Sequence, residues 1–126
     1  MRREKLVCIL FFAVLAASIV NVIYISRLSL SLNALISTAE AFAQNEQYDD
    51  ALKTLNLAQA DWNSKRKYTG VFLRHPDIDS INDCFFDVKA EIAKRENEAL
   101  PALCDKLRHH ISCIADMEKL RLESIL

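Results

Sequence analysis

A chain of 126 residues with a single glycine and two prolines holds few residues that form tight turns, and no glycine-rich phosphate loop. Its net charge of −1 is unevenly spread, since residues 1–5 are net basic and the remainder is net acidic. An acidic body without a basic stripe argues against nucleic-acid binding, which needs a cationic surface. The composition predicts an almost entirely helical protein.

An apolar run without charged residues extends from Leu6 to Ser26. As a helix these residues span about 31 Å, close to the thickness of a bilayer's hydrocarbon core. One rival interpretation is a signal peptide cleaved after Ser18, and another is a buried core helix. We favour a transmembrane anchor, because the apolar run continues past Ser18 and core helices rarely stay uncharged for so long.

The flanking charges predict how this helix is oriented. Arg2, Arg3 and Lys5 precede the apolar run, whereas only Arg27 follows it closely. Under the positive-inside rule, residues 1–5 are cytoplasmic. The sequence therefore predicts a single-pass protein of the cell membrane with residues 27–126 outside the cytoplasm.

The body after the apolar run contains repeated helical stripes separated by short polar segments. No helix breaker lies between the membrane segment and Gln44, so one long helix is expected there, and Asn45 can close it in the left-handed conformation. We predict an all-α fold in which the transmembrane helix continues into a small bundle of antiparallel helical hairpins. The predicted segments are a transmembrane helix at 6–26, body helices at about 27–44, 47–68, 77–95 and 98–114, and a short separate C-terminal segment at 116–126.

Two surfaces are candidates for contact with a partner. The first is the apolar stripe just after the membrane segment, which suits a coiled-coil seam or the inner face of a bundle. The second is the tryptophan with its basic neighbours, which suits anionic headgroups or an acidic partner. For the second we favour a core tryptophan followed by cations that complement a helix dipole, with the surface role as the alternative. The candidate residues are Leu28, Leu32, Leu35, Trp62, Lys65, Arg66 and Lys67.

The stretch His75-Pro-Asp-Ile-Asp opens a predicted helix at a sharp corner. Pro76 fits at or just before the first turn, and Asp77 or Asp79 can cap the helix. A calcium loop is excluded here because the required glycine and the closing glutamate are both absent.

The cysteines and histidines allow a weaker, alternative function. His109 and Cys113 lie four residues apart on one helical face, and His110 lies three residues from Cys113. Such spacing can hold two zinc ligands, and Asp77, Asp79 or Cys84 could supply the others. Cys84 could also form a disulfide with Cys104 or Cys113. The favoured interpretation is that the thiols are small buried side chains and that the histidines face solvent or complement a helix end.

The pattern as a whole resembles the bacterial family known as domain of unknown function 4363. The resemblance lies in the N-terminal membrane segment, in Trp62 with Lys65 and Lys67, in His75 with the acidic residues after it, and in the closing sequence LRLESIL. It implies a small, single-pass, helical membrane protein, and it implies no activity.

We therefore predict a membrane-anchored, non-enzymatic helical module that binds another protein. Its expected partners are the lipid bilayer and either a membrane protein or a second copy of the chain, with no nucleic acid, no small-molecule substrate and no cofactor. The alternative function is an extracytoplasmic metal, ligand or redox domain using Cys84, Cys104, Cys113, His109 and His110.

Overall fold

The computed structural model describes residues 2–69 and 75–125, with side chains at 2–65 and 76–124. These residues form four helices joined in sequence order. The fold is all-α, as predicted. The helices are α1 (Arg2–Gln44), α2 (Tyr48–Thr69), α3 (His75–Ala93) and α4 (Leu100–Ile125).

Helix α1 is continuous from the apolar run into the body, which confirms the predicted single long helix. Its 43 residues extend for about 65 Å. Residues 2–14 are all exposed, and buried side chains begin only at Ile25. The first half of α1 therefore projects from the bundle that its second half helps to build.

Helices α1 and α3 end in the same way, with a residue in the left-handed conformation. After α1 this residue is Glu46 (φ 64°) rather than the predicted Asn45, and after α3 it is Arg95 (φ 58°). The Gln47 amide donates to the Phe42 carbonyl at 2.8 Å and the Glu46 amide donates to the Ala43 carbonyl at 3.1 Å. This Schellman pattern satisfies the last carbonyls of α1, and it places the left-handed residue one position later than predicted.

The second half of α1 packs against α2 and α4, and α3 packs against the same two helices. Short connections at 45–47 and 94–99 make the helices of each hairpin antiparallel. One hydrophobic core takes side chains from all four helices, with Leu32, Leu55, Phe85 and Leu107 fully buried. We call the end of the bundle from which α1 projects the proximal end, and the opposite end, with the two short connections, the distal end.

The prediction of a separate C-terminal segment is wrong, because α4 runs unbroken through residues 114–116. No proline or glycine interrupts α4 after Pro101, and its last turns are rich in good helix formers. Ala115 is buried, and Glu118 accepts a hydrogen bond from Asn21 of α1, so this extension packs against the bundle. Pro101 lies in the first turn of α4, where its missing amide hydrogen costs no hydrogen bond.

Candidate functional site

The N-terminal half of α1 is long and apolar enough to cross a membrane, and its most apolar part is not buried by the rest of the protein. Large apolar side chains are exposed on every side of it, including Leu6, Leu10, Phe12 and Val20. In water, so much exposed apolar surface would be strongly unfavourable. This segment therefore needs an apolar environment that the bundle does not provide.

The apolar stripe after this segment is not a free surface. Leu28 and Leu32 are buried in the core, and Leu35 is packed against it. Of the two interpretations of this stripe, the structure shows the inner face of a bundle, because α2 and α4 of the same chain cover it. The prediction of a contact surface for a partner at these residues is wrong. A homodimer through this stripe would require the bundle to open.

The opposite face of α1 is uncovered. Ile19, Ile23 and Leu30 follow one another at steps of four and seven residues, which places them on one side of the helix. Leu30 is 71% exposed although it lies on the body and not in the apolar run. Sequence analysis missed this face, because Leu30 falls outside the dominant stripe and its exposure depends on where the other helices pack.

Trp62 lies in the core and is 2% exposed. Its indole nitrogen donates to the Asn82 side-chain oxygen at 3.3 Å, which connects α2 to α3. Trp62 is therefore a core residue, the interpretation favoured from the sequence, and it is not part of a contact surface. Lys65 forms an ion pair with Asp61 at 3.1 Å near the proximal end of α2. The side chains of Arg66 and Lys67 lie outside the described residues.

The predicted helix corner begins two residues earlier than expected. Helix α3 starts at His75, whose side chain lies outside the described residues. Asp77 is therefore in the first turn of α3 and Asp79 follows it, so neither stands at the position before the helix that a capping residue occupies. The Asp77 carboxylate still favours the positive end of the helix dipole.

A polar cluster connects the proximal ends of α1 and α4. The Asn21 amide donates to one carboxylate oxygen of Glu118 at 3.2 Å, and Arg121 pairs with the other oxygen at 3.3 Å. Glu118 is only 5% exposed, and burial raises the pKa of its carboxyl although both neighbours favour the charged form. Sequence analysis missed this cluster, because Asn21 and Glu118 are far apart in the chain.

Further along the same interface, α1 and α4 are joined by two more contacts. Asn33 donates to the Ser112 hydroxyl at 3.1 Å, and Arg108 pairs with Glu40 at 2.8 Å. Residues that come later in α1 contact residues that come earlier in α4, so the two helices are antiparallel. The end of α4 therefore lies beside the point where α1 leaves the bundle.

All four cysteines lie in the described part of the chain and are free thiols. Cys84 and Cys104 are buried, and desolvation raises the pKa of both thiols, that of Cys104 to about 12. Neither thiol is poised to react as a thiolate at neutral pH. Cys113 is half-buried.

The structure brings together one predicted pair of metal ligands. The His109 Nε2 atom lies 3.5 Å from the Cys113 sulfur. Cys84 is buried in the core, and among the described residues no group of three or more histidine, cysteine or acidic side chains is placed to hold a metal ion. A protein zinc site uses three or four such ligands, so this pair would need ligands from elsewhere.

The distal end carries a shallow cleft of about 190 Å³. Its lining includes Glu46, Asp49 and Asp50, together with Tyr48 and Arg95. The Arg95 guanidinium lies over the Tyr48 ring at 5.9 Å from its centroid, a cation–π contact between the connection at 94–99 and the first residue of α2.

Comparisons with known proteins identify a family. The family model described as domain of unknown function (DUF4363) matches residues 19–125. No curated protein and no solved structure matches the chain. The match begins within the apolar run and covers all of the helical bundle. The chain therefore belongs to the DUF4363 family, whose function is unknown.

Proposed function

We propose that this protein is a membrane-anchored module that acts by binding and not by catalysis. The anchor is the exposed apolar half of α1, which remains attached, with residues 1–5 in the cytoplasm and the bundle outside it. The unequal basic flanks support this orientation. The exposed apolar side chains of this segment support its retention as an anchor. Cleavage after Ser18 would leave Ile19, Val20 and Ile23 exposed to water at a free N-terminus.

The binding partner is an apolar helix of a neighbouring membrane protein, or that of a second copy of the chain. The observation that carries this proposal is the uncovered face of α1 formed by Ile19, Ile23 and Leu30. This face continues from the apolar run onto the body, so a helix lying along it would contact both. The exposed small side chains of Ala34 and Ala41 further along α1 would allow a partner helix to approach closely.

Site-specific photocrosslinking in intact cell membranes tests this proposal. A photoreactive amino acid replaces Leu30 in one variant and Leu57, which is 64% exposed on α2, in a matched control. We expect a discrete protein adduct from position 30 and not from position 57. An adduct with twice the mass of the chain would identify the partner as a second copy. Equal adducts at both positions, or none at position 30, would contradict the proposal.

The orientation is tested by labelling Cys113 in intact cells with a membrane-impermeant maleimide. Cys113 lies on α4 within the bundle and is partly accessible. We expect labelling before the cells are lysed. Labelling of Cys113 only after lysis would place the bundle in the cytoplasm and contradict the proposed topology.

A further inference from the structure

The end of α4 lies beside the apolar half of α1. Asn21 of α1 donates a hydrogen bond to Glu118 of α4, and the two helices are antiparallel. Residues 119–125 of α4 therefore run beside residues 14–20 of α1. Within that stretch Leu15 is half-buried, although the residues before and after it are exposed. The end of α4 thus covers one side of the apolar segment.

The covered stretch of α1 is also the stretch that a membrane needs. Residues 6–13, which precede it, extend for only about 12 Å as a helix. The hydrocarbon core of a typical membrane is about 30 Å thick and needs roughly 20 helical residues. The whole uncharged run at 6–26 has that length, and residues 14–20 lie across its middle.

Charged side chains prevent the end of α4 from entering the membrane beside α1. Lys119, Arg121 and Glu123 are all exposed on its surface, so they would face the acyl chains. In this register Glu123 lies beside residue 16, which is the midpoint of the run at 6–26. Its side chain is too short to reach the headgroups, in contrast to the long stems of lysine and arginine. A carboxylate facing lipid near the bilayer centre is strongly unfavourable.

The contacts described between this end of α4 and α1 are weak by comparison. The Asn21–Glu118 hydrogen bond has a length of 3.2 Å, and Leu122 beyond it is only half-buried. The ion pair between Arg121 and Glu118 lies within α4, so it does not hold the two helices together. One hydrogen bond adds little net stability. Separating this end from α1 therefore costs less than taking its charges into lipid.

From these observations we infer that the end of α4 and the bilayer compete for the same stretch of α1. When α1 spans the membrane, residues 117–125 separate from it. The rest of α4 stays in the bundle, where Ser112 and Arg108 contact α1. Spanning thereby uncovers Asn21 and the side of α1 around it. The inference rests on the proposed anchor.

Dipolar coupling between two nitroxides tests this inference on the full chain in lipid vesicles. Cys8 and Cys113 are replaced by serine, and nitroxides are attached to Ala17→Cys and Ser124→Cys, two exposed positions at the contact in question. Labelled protein is diluted with unlabelled protein, so that only the coupling within one chain is measured. Close labels broaden the spectrum, and separation of the helices removes the broadening.

The matched control is a second pair of labels on the same two helices at the distal end, at Ala41→Cys and Lys106→Cys, both exposed. Each protein is reconstituted in a thin bilayer of dilauroyl phosphatidylcholine and in a thick bilayer of dierucoyl phosphatidylcholine. A thicker bilayer takes up more of α1. We expect the broadening of the 17–124 pair to be severalfold weaker in the thick bilayer than in the thin one, and that of the control pair to be the same in both.

Flotation of the same vesicles separates failure of this inference from failure of the anchor. If the protein floats while the broadening of the 17–124 pair is equal in both lipids, whether strong or absent, the anchor stands and the inference is overturned. Loss of the broadening at the control pair as well would mean that the whole bundle opens, which also overturns the inference. If the protein does not float, the anchor and the inference are both overturned.

Discussion

Replacing Leu32 by alanine tests whether the stripe on α1 belongs to the protein's own core. Leu32 is 0% exposed, whereas Leu30, two residues away on the same helix, is 71% exposed. Removing a fully buried leucine side chain costs the transfer energy of the lost atoms plus the energy of the remaining cavity, about 3 kcal/mol in total. Leu30→Ala should change the free energy of unfolding by less than about 0.5 kcal/mol.

The assay is denaturant unfolding of the full chain in detergent micelles. The single tryptophan, Trp62, is buried in the same core and reports its loss through fluorescence. For a domain of this size, a loss of 3 kcal/mol lowers the melting temperature by about 12–24 °C. Equal destabilisation by Leu32→Ala and Leu30→Ala, or a larger effect of Leu30→Ala, would refute the assignment of this stripe to the core.

Three other predictions concern the polar side chains and the thiols of the bundle. A double-mutant cycle with Arg108→Met and Glu40→Gln should give a coupling of about 1 kcal/mol in the unfolding assay, since both side chains are mostly buried. A water-soluble maleimide should modify Cys113 in the folded protein but reach Cys104 only after unfolding, as mass spectrometry of the labelled protein would show. Because the folded-state pKa of Glu118 is raised above 4.5, its contribution to stability is fully present below pH 4.5 and is lost as pH rises through the folded-state pKa. Wild type should therefore lose stability relative to Glu118→Gln between pH 4.5 and neutrality in denaturant unfolding.

Each of these predictions has an outcome that contradicts it. A coupling energy within error of zero would mean that Arg108 and Glu40 do not act as a pair in solution. Modification of Cys104 at the same rate as Cys113 would mean that the core opens readily. A stability difference between wild type and Glu118→Gln that does not change with pH would mean that the Glu118 carboxyl has the same pKa in the folded and unfolded protein.

The features of the fold that depend on local sequence were predictable. The absence of any breaker between Leu6 and Gln44 indicated one continuous helix, and the polar segment after it indicated the turn into α2. The end of α4 was mispredicted because the charged residues after Ile114 interrupt its apolar stripe. One of them, Glu118, is buried against Asn21, which no local pattern can indicate.

The candidate surface could be predicted only in part. The stripe through Leu28 and Leu32 was correctly recognised as apolar, but the pattern alone cannot distinguish burial within the chain from burial against a partner. Trp62 posed the same question, and its burial in the core, where Asn82 of α3 accepts the indole hydrogen bond, answers it. Exposure of Leu30 follows from the positions of α2 and α4 around α1, which only the folded chain specifies.

The retention of the apolar half of α1 in the membrane is tested most directly by alkaline extraction of cell membranes followed by mass spectrometry of the intact protein. We expect the protein to stay in the membrane pellet and its N-terminal residues, including Arg2 to Lys5, to be still present. A soluble mature product beginning near Ile19 would contradict this expectation.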